Sequence, residues 1–296
     1  MWSHPFDLAI DDSNESIRLD PSFVAVAYLN RGNAYTEKEE LDEAIADYTE
    51  ALRLYPKLAM AYHERGNAYD EKGDFDQAIA DHTEAIRLNP EYAKAYYCRG
   101  IAYWNKDVFD KAIDDYSKAI RLNPEYAVAY NNRGNAYEEK GDFDQAIADR
   151  TEAIRLDPKS AKSYHNRAVT YAKKEEWDQA IDDFSKAIQL DPKYVSAYSQ
   201  RGMVYAEKKE WDKAIGDFTE AIRLDSKDAW TFYNRGVAYV NKGEFDKVID
   251  DCTEAIRLNP EYVSAYYCRS LSYQAKGDTA NAEADFARAR ELGYEP

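Results

Sequence analysis

An arginine returns every 34 residues, at Arg31, Arg65, Arg99, Arg133, Arg167, Arg201, Arg235 and Arg269. A tyrosine follows each one four positions later, from Tyr35 to Tyr273. An aspartate keeps the same interval from Asp47 to Asp285, and a leucine from Leu54 to Leu292. A period of this length marks a stack of supersecondary units, each burying its apolar face against its neighbours. With slots numbered 1 to 34 and the first repeat at 25–58, the others fall at 59–92, 93–126, 127–160, 161–194, 195–228, 229–262 and 263–296. Residues 1–24 form an N-terminal half-repeat, and the eight repeats are expected to make a single solenoid domain.

Each repeat predicts two helices. In the second repeat Ala59, Tyr62, Gly66 and Tyr69 share one helical face, and Phe75, Ala78, Ile79, His82, Ala85 and Ile86 share another. Between them lies Lys72-Gly73-Asp74, where Gly supplies a left-handed residue and Asp a cap for the next helix. Asn89-Pro90 and Asp157-Pro158 are read as helix starts, since Pro lacks only an N–H that would be unpaired there. At the sixth junction Ser226 replaces that Pro, and a looser joint is expected.

Tyr62, Gly66, Tyr69, Ala78, Ala85 and Pro90 sit where the tetratricopeptide repeat (TPR) pattern has Trp, Gly, Tyr, Ala, Ala and Pro, and the match recurs over 25–296. The chain resembles that family. The departures are Arg65 in a usually aliphatic slot and Tyr48, His82, Arg150 or Cys252 in the Phe slot. The resemblance implies an all-α, right-handed superhelical solenoid whose first helices line a concave groove that holds peptides or proteins.

Residues 6–21 align with 75–90 without a gap, so a lone second helix precedes the first repeat, with one extra residue between Pro21 and Tyr28. Its slots facing away from a neighbour hold Ser13 and Ser16, whereas Ile10 and Ile17 stay apolar. In the last helix the opposite slots turn polar, as Thr279, Glu283 and Arg290, while Phe286 and Ala289 remain. Solenoids need polar terminal faces, and on this ground the array is expected to be complete. The opening Trp2-Ser3-His4-Pro5 resembles the start of a streptavidin affinity tag, without the remainder.

Chemistry is scarce. With 39 Lys+Arg against 56 Asp+Glu the net charge is −17, which argues against binding a nucleic-acid backbone, since that needs clustered positive charge, and no nucleic-acid partner is expected. No apolar run approaches the roughly 18 residues of a membrane span, and Met1–Asp12 has neither a basic nor an apolar signal region, so a cytoplasmic location is expected. His4, His63, His82 and His165 and three cysteines show no Cys-x-x-Cys or His-x-x-x-His spacing, so no metal or other cofactor is expected. Acid pairs such as Asp114–Asp115 recur with the repeat and point in different directions on a helix, so no catalytic residue is expected. The recurring Arg of slot 7 and Asp of slot 23 lie at similar heights in an antiparallel pair. Ion pairs such as Arg65–Asp81 are predicted, serving register more than stability.

By the family's geometry, slots 2, 5, 6, 9, 12 and 13 face the groove, and these slots vary most between repeats. The candidate ligand-binding residues are Asn30 and Asn33 in the first repeat, His63 and Asn67 in the second, and Lys94, Tyr97 and Trp104 in the third. Asn131, Asn132 and Asn135 follow in the fourth, His165 and Asn166 in the fifth, Met203 in the sixth, Trp230, Tyr233 and Asn234 in the seventh, and Tyr267 in the eighth. Asn carries both a donor and an acceptor, suiting an extended peptide backbone, and aromatics are favoured interface anchors. The alternative is that the Asn side chains cap or are solvated and the aromatics pack between repeats. Acidic Asp70, Glu71, Glu138 and Glu139 point to a basic or neutral ligand.

Chaperone adaptors of the family clamp a C-terminal carboxylate with Lys at slot 5. Here that slot holds Leu29, His63, Tyr97, Asn131, His165, Ser199, Tyr233 and Tyr267, which excludes the clamp. The expected function is a non-catalytic scaffold gripping an extended segment of a protein partner. A self-assembling scaffold and the targeting arm of a larger enzyme are the alternatives.

Overall fold

A computed structural model describes residues 5–19 and 24–295; the opening Trp2-Ser3-His4, the expected extra residue after Pro21 and the final Pro296 lie outside the described residues. Those residues form seventeen helices and no strand. The chain divides into two compact units, Met1–Leu156 and Asp157–Pro296.

The first unit holds α1 (Pro5–Leu19), α2 (Val24–Glu37), α3 (Leu41–Leu54), α4 (Ala59–Glu71), α5 (Phe75–Leu88), α6 (Ala93–Asn105), α7 (Phe109–Leu122), α8 (Ala127–Glu139) and α9 (Phe143–Leu156). The second holds α10 (Ala161–Lys173), α11 (Trp177–Leu190), α12 (Val195–Glu207), α13 (Trp211–Leu224), α14 (Ala229–Lys242), α15 (Phe245–Leu258), α16 (Val263–Ala275) and α17 (Thr279–Glu291). Within each unit every helix packs on the one before and after it. Successive first helices also touch one another, α2 to α4 to α6 to α8 in the first unit and α10 to α12 to α14 to α16 in the second. The first helices are therefore the closely spaced row.

Small residues allow that spacing. Ala61 and Ala68 of α4 and Ala78 and Ala85 of α5 are fully buried, and their equivalents in α6 and α7, Ala95, Ala102, Ala112 and Ala119, are too. The sequence face built on Ala59, Tyr62, Gly66 and Tyr69 missed slots 3 and 10, the Ala61 and Ala68 positions, although both recur as small residues. Slot 8 is small for a different reason. A Cβ on Gly32 would lie 2.6 Å from the Tyr48 ring, and on Gly100 2.7 Å from the Tyr116 ring. At the leading helix, Ser13 is buried, against the expectation of an unpartnered face, whereas Ser16 is exposed. Thr279, Glu283 and Arg290 of α17 are exposed.

The predicted ion pairs form in all eight repeats, always within a repeat. Arg133 Nε and Nη2 donate to the two carboxylate oxygens of Asp149 at 2.7 and 2.6 Å. Arg65 does the same to Asp81 at 2.7 and 2.8 Å, and Arg235 to Asp251 at 2.9 and 2.7 Å. The third arm reaches the preceding repeat: Nη1 of Arg65, Arg99 and Arg133 donates to Thr49, Thr83 and Ser117 at 2.9–3.0 Å. In the second unit Arg201, Arg235 and Arg269 reach Ser185, Thr219 and Thr253 in the same way. Burial lowers the Arg65 pKa and the Asp81 fork more than restores it, so the guanidinium stays charged.

Two turn readings need correction. Asn89 ends α5 rather than starting a helix; its Oδ1 accepts from Glu91 N at 3.1 Å, Pro90 lies in the turn, and α6 begins at Ala93. Pro fits because its fixed φ suits a turn interior. Asp74 occupies the N-cap position of α5 without a side-chain capping bond, whereas Asp278 caps α17. The Ser226 junction keeps the same bond, from Lys227 N to Asp225 Oδ1 at 3.0 Å, and adds a side-chain cap at Asp228, but Asp228, Ala229 and Thr231 do not make the backbone bonds that Tyr92, Ala93 and Ala95 make at the Pro90 junction, in keeping with the looser joint expected there.

Slot 15 is left-handed in every repeat. Gly73, Gly141, Gly243 and Gly277 meet that demand freely, but Glu39, Asp107, Glu175 and Lys209 adopt it at φ 58–62°. A left-handed L-residue costs roughly 1–2 kcal/mol. Lys209→Gly is expected to raise stability by about 0.5–1 kcal/mol after the unfolded-state entropy of Gly is counted, measured by chemical denaturation. Asp149→Asn removes the charge from one fork and is expected to cost about 2 kcal/mol in the same assay, while Arg133→Met with Asp149→Leu recovers part of the loss.

Candidate functional site

Slots 6 and 9 of a first helix, and slots 9 and 12 or 13, lie about one turn apart. In the first unit these slots of the third and fourth repeats converge on a pocket of about 180 Å³ lined by Ile101, Trp104, Asn105, Asn132, Asn135 and the Tyr116 ring. Trp104 is 37% exposed, which leaves an indole face available at the rim. Asn132 Nδ2 donates to Tyr97 Oη at 3.0 Å, tying slot 6 of one repeat to slot 5 of the repeat before.

Asn135 is held from below. Arg150 of α9 is 3% exposed, and its Nη2 donates to Asn135 Oδ1 at 2.9 Å while Nη1 bonds the Glu138 carboxylate. The Glu138 charge, read in the sequence as an attraction for basic ligands, is thus answered inside the protein. Burial pushes the Arg150 pKa down, and the Glu138 carboxylate works against that. The first repeat solves the same site differently: Tyr48 Oη donates to Asn33 Oδ1 at 2.9 Å and shares a hydrogen bond with Thr36 Oγ1 at 3.0 Å.

Slot 5 does not behave as a groove position. Its rings pack against rings near the end of their own repeat, at slot 34 or, in the last repeat, at Tyr294, and against slot 24 where that is aromatic. His63 is 4% exposed, 5.3 Å from the His82 ring and 4.9 Å from Tyr92, and burial pushes its pKa down to about 4. Tyr97 lies 5.9 Å from Tyr116 and 4.8 Å from Tyr126. In the second unit His165 sits 4.9 Å from Tyr194, Tyr233 5.1 Å from Tyr262 and Tyr267 4.2 Å from Tyr294. A slot-5 side chain leans toward the second helix, so His63, Tyr97, His165 and Tyr267 find rings on both sides and Tyr233 on one. His63 is accordingly a core residue and not a groove residue.

The remaining candidates are dispersed. Asn30 and Lys94 are exposed, and Asn67 Nδ2 donates to Glu64 Oε2 at 3.1 Å. Asn131 Nδ2 turns back to its own helix at Ala127 O, 3.4 Å away. In the second unit Asn166 and Met203 are half-buried, Trp230 is 37% exposed, and Asn234 Nδ2 donates to Trp230 O at 2.8 Å. A second pocket of about 330 Å³ lies between α16 and α17, lined by Tyr267, Leu271 and Phe286 with Gln274 and Glu283.

Sequence reasoning missed a second periodic contact. Lys72, Lys106 and Lys140 of slot 14 pair with Asp42, Asp76 and Asp110 of the preceding repeat, and Lys208, Lys242 and Lys276 repeat this in the second unit. The 34-residue recurrence of both partners was there to be read. These pairs are exposed and contribute little each. One group of described residues brings metal-ligating side chains together, His63, His82 and Cys98. No described helix is long and apolar enough to cross a membrane.

Arg150→Tyr copies the Tyr48 arrangement but removes the cation facing Glu138, and should lower the melting temperature. Adding Glu138→Thr supplies the Thr36 equivalent and should restore most of it, as a paired thermal melt will report.

Family models described as TPR repeat match residues 32–73, 66–107, 109–141 and 202–243, and models described as Tetratricopeptide repeat match 127–160, 161–194 and 229–262. No curated protein sequence matches. Among solved structures, a crystal structure of MamA is 30% identical, covering 55% of this chain and 95% of that chain with a TM-score of 0.53. YrrB, described as a TPR protein with an unusual peptide-binding site, is 27% identical over 70% of this chain and 100% of that chain, with a TM-score of 0.52. A tetratricopeptide repeat protein from Parabacteroides merdae shares the fold at 19% identity, covering 80% of this chain and 94% of that chain with a TM-score of 0.61.

Proposed function

Because the chain belongs to the tetratricopeptide repeat family, we propose that it is a non-catalytic scaffold that binds an extended segment of a partner protein along its first helices. The observation that carries this reading is the pocket at Trp104, Ile101, Asn105, Asn132 and Asn135. An apolar or aromatic peptide side chain fits between the Trp104 indole and Ile101. The Asn132 and Asn105 amides stand at the rim, where they can pair with the peptide backbone. Asn135 is held by Arg150 and offers a pre-set surface instead of a mobile one. The peptide-binding site described for YrrB supports the reading by likeness.

Charge narrows the ligand. Asp70, Glu71 and Glu139 remain on the first-helix side, with Glu138 paired to Arg150. A neutral or mildly basic segment with one large apolar side chain is the preferred class, and an acidic one is disfavoured.

Selection of displayed peptides on the full chain, followed by fluorescence anisotropy, tests the proposal. Selected peptides should share a large apolar residue and lose about tenfold or more in affinity on Trp104→Ala, with a smaller loss on Asn132→Ala. Circular dichroism melts monitor folding, since Asn132 also bonds Tyr97. Selection that yields no binder, or binders indifferent to Trp104→Ala, would sink the reading.

A further inference from the structure

We infer that His63, His82 and Cys98 form a binding site for a zinc-class metal ion at the junction of the second and third repeats. The three residues come from three helices: His63 from α4, His82 from α5 and Cys98 from α6. One ligand atom from each lies within 4.8 Å of the other two. Zinc bonds of about 2.0–2.3 Å place tetrahedral ligand atoms roughly 3.5 Å apart, so closure needs only about 1 Å of side-chain movement. Two imidazoles and one thiolate form a borderline-soft donor set suited to such an ion.

A second observation points the same way. His82 is fully buried, and neither of its ring nitrogens has a hydrogen-bond partner. His63 Nδ1 is also buried and unpartnered, while the Asn67 amide lies on the Nε2 side at 3.4 Å. Buried polar atoms are normally paired, and leaving them unpaired is unfavourable. The other repeats place Tyr, Phe, Arg or Cys at slot 24, and of these only Arg150 leaves a buried nitrogen unpartnered, its Nε. His82 presents its nitrogen-bearing edge to Gly66, where a Cβ would come within 2.8–3.0 Å of the ring. The carboxylates of Asp70 and Glu64 act on Cys98, with Lys94 opposing them there and at His63 and Arg99 acting on His82, and Asp70 Oδ1 is itself buried without a partner. An ion held here would clamp α6 to the preceding helix pair.

The repeat supplies its own control variants. His82→Tyr installs the residue that the neighbouring repeats carry as Tyr48 and Tyr116, and Cys98→Asn installs the residue found at Asn132 and Asn166. Both substitutions are therefore compatible with the fold. The reduced, chelator-treated full chain is titrated with zinc chloride by calorimetry and thermal melting, and with cobalt chloride by visible absorption. The wild type should take up one zinc ion per chain, melt at a higher temperature with zinc, and show tetrahedral cobalt bands with thiolate-to-cobalt charge transfer. His82→Tyr and Cys98→Asn should retain helical circular dichroism and lose uptake and charge transfer together. The inference fails if the wild type binds no stoichiometric zinc or its cobalt spectrum lacks the thiolate band. It fails equally if either variant keeps wild-type uptake, which would place the ion elsewhere on this acidic surface. Should a variant not fold, the wild-type cobalt spectrum decides alone.

Discussion

The slot-7 guanidinium is the interaction on which the rest depends. Two of its nitrogens fork onto the slot-23 carboxylate and fix the two helices of a repeat at one height. Its third nitrogen reaches a hydroxyl in the preceding repeat. Its face lies over the slot-4 ring, as Arg133 does over Tyr130 at 5.6 Å. Only Arg has a planar fork that can make two parallel bonds and still present a third donor. The aspartates are nearly buried and the arginines about one-sixth exposed, with Asp149 at 8% and Arg133 at 18% by side chain. At such burial, desolvation offsets much of the Coulomb gain, so geometry is the larger return. A slip of one helical position would break three contacts in every repeat at once.

With register held by that node, the core can be made of small residues. Small residues at slots 3, 10, 20 and 27, mostly Ala with Ser, Thr or Val at a few positions, bring backbones close. Slot 24 varies far more, reading Tyr, His, Tyr, Arg, Phe, Phe, Cys and Phe along the chain. At Tyr48 and Arg150, contacts beyond the side chain's own helix answer it. Tyr48 is met by Asn33 and Thr36, Arg150 by Asn135 and Glu138. His82 lies beside His63 without a hydrogen-bond partner, and the Cys252 thiol is fully buried. Slot 24 thus connects the interior to the first-helix surface, and the slots that form the pocket are the ones that respond to it.

What was legible in the sequence follows from this arrangement. The helix pairs and the Arg–Asp forks could be read because both depend on separations that recur, 16 residues in the case of Arg65 and Asp81. Slots 6, 9, 12 and 13 were legible as a surface from the family's geometry, and their variation between repeats agreed with it. Three things were not. The stacking of slot 5 depends on rings at slots 24 and 34, so His63 looks like a groove residue until α5 and the loop before α6 are placed around it. The left-handed turn at Glu39, Asp107, Glu175 and Lys209 carries no glycine to announce it. The convergence of His63, His82 and Cys98 joins three different slots on three helices. It matches no linear motif.

That last case shows what a nearest-neighbour architecture permits. In a globular core a histidine with two unpartnered nitrogens, or an arginine in place of a phenylalanine, would disturb packing throughout. Here each repeat touches only its neighbours, and stability is close to a sum of local terms. A polar group at slot 24 therefore has to be balanced only by side chains within reach across one junction. The Arg150 cluster is balanced by Glu138 and Asn135 within its own repeat, and the pocket of the third and fourth repeats inherits the rigidity of that cluster. The His82 site lacks a protein partner of that kind, which is the physical difference that sets it apart from every other slot-24 solution in the chain.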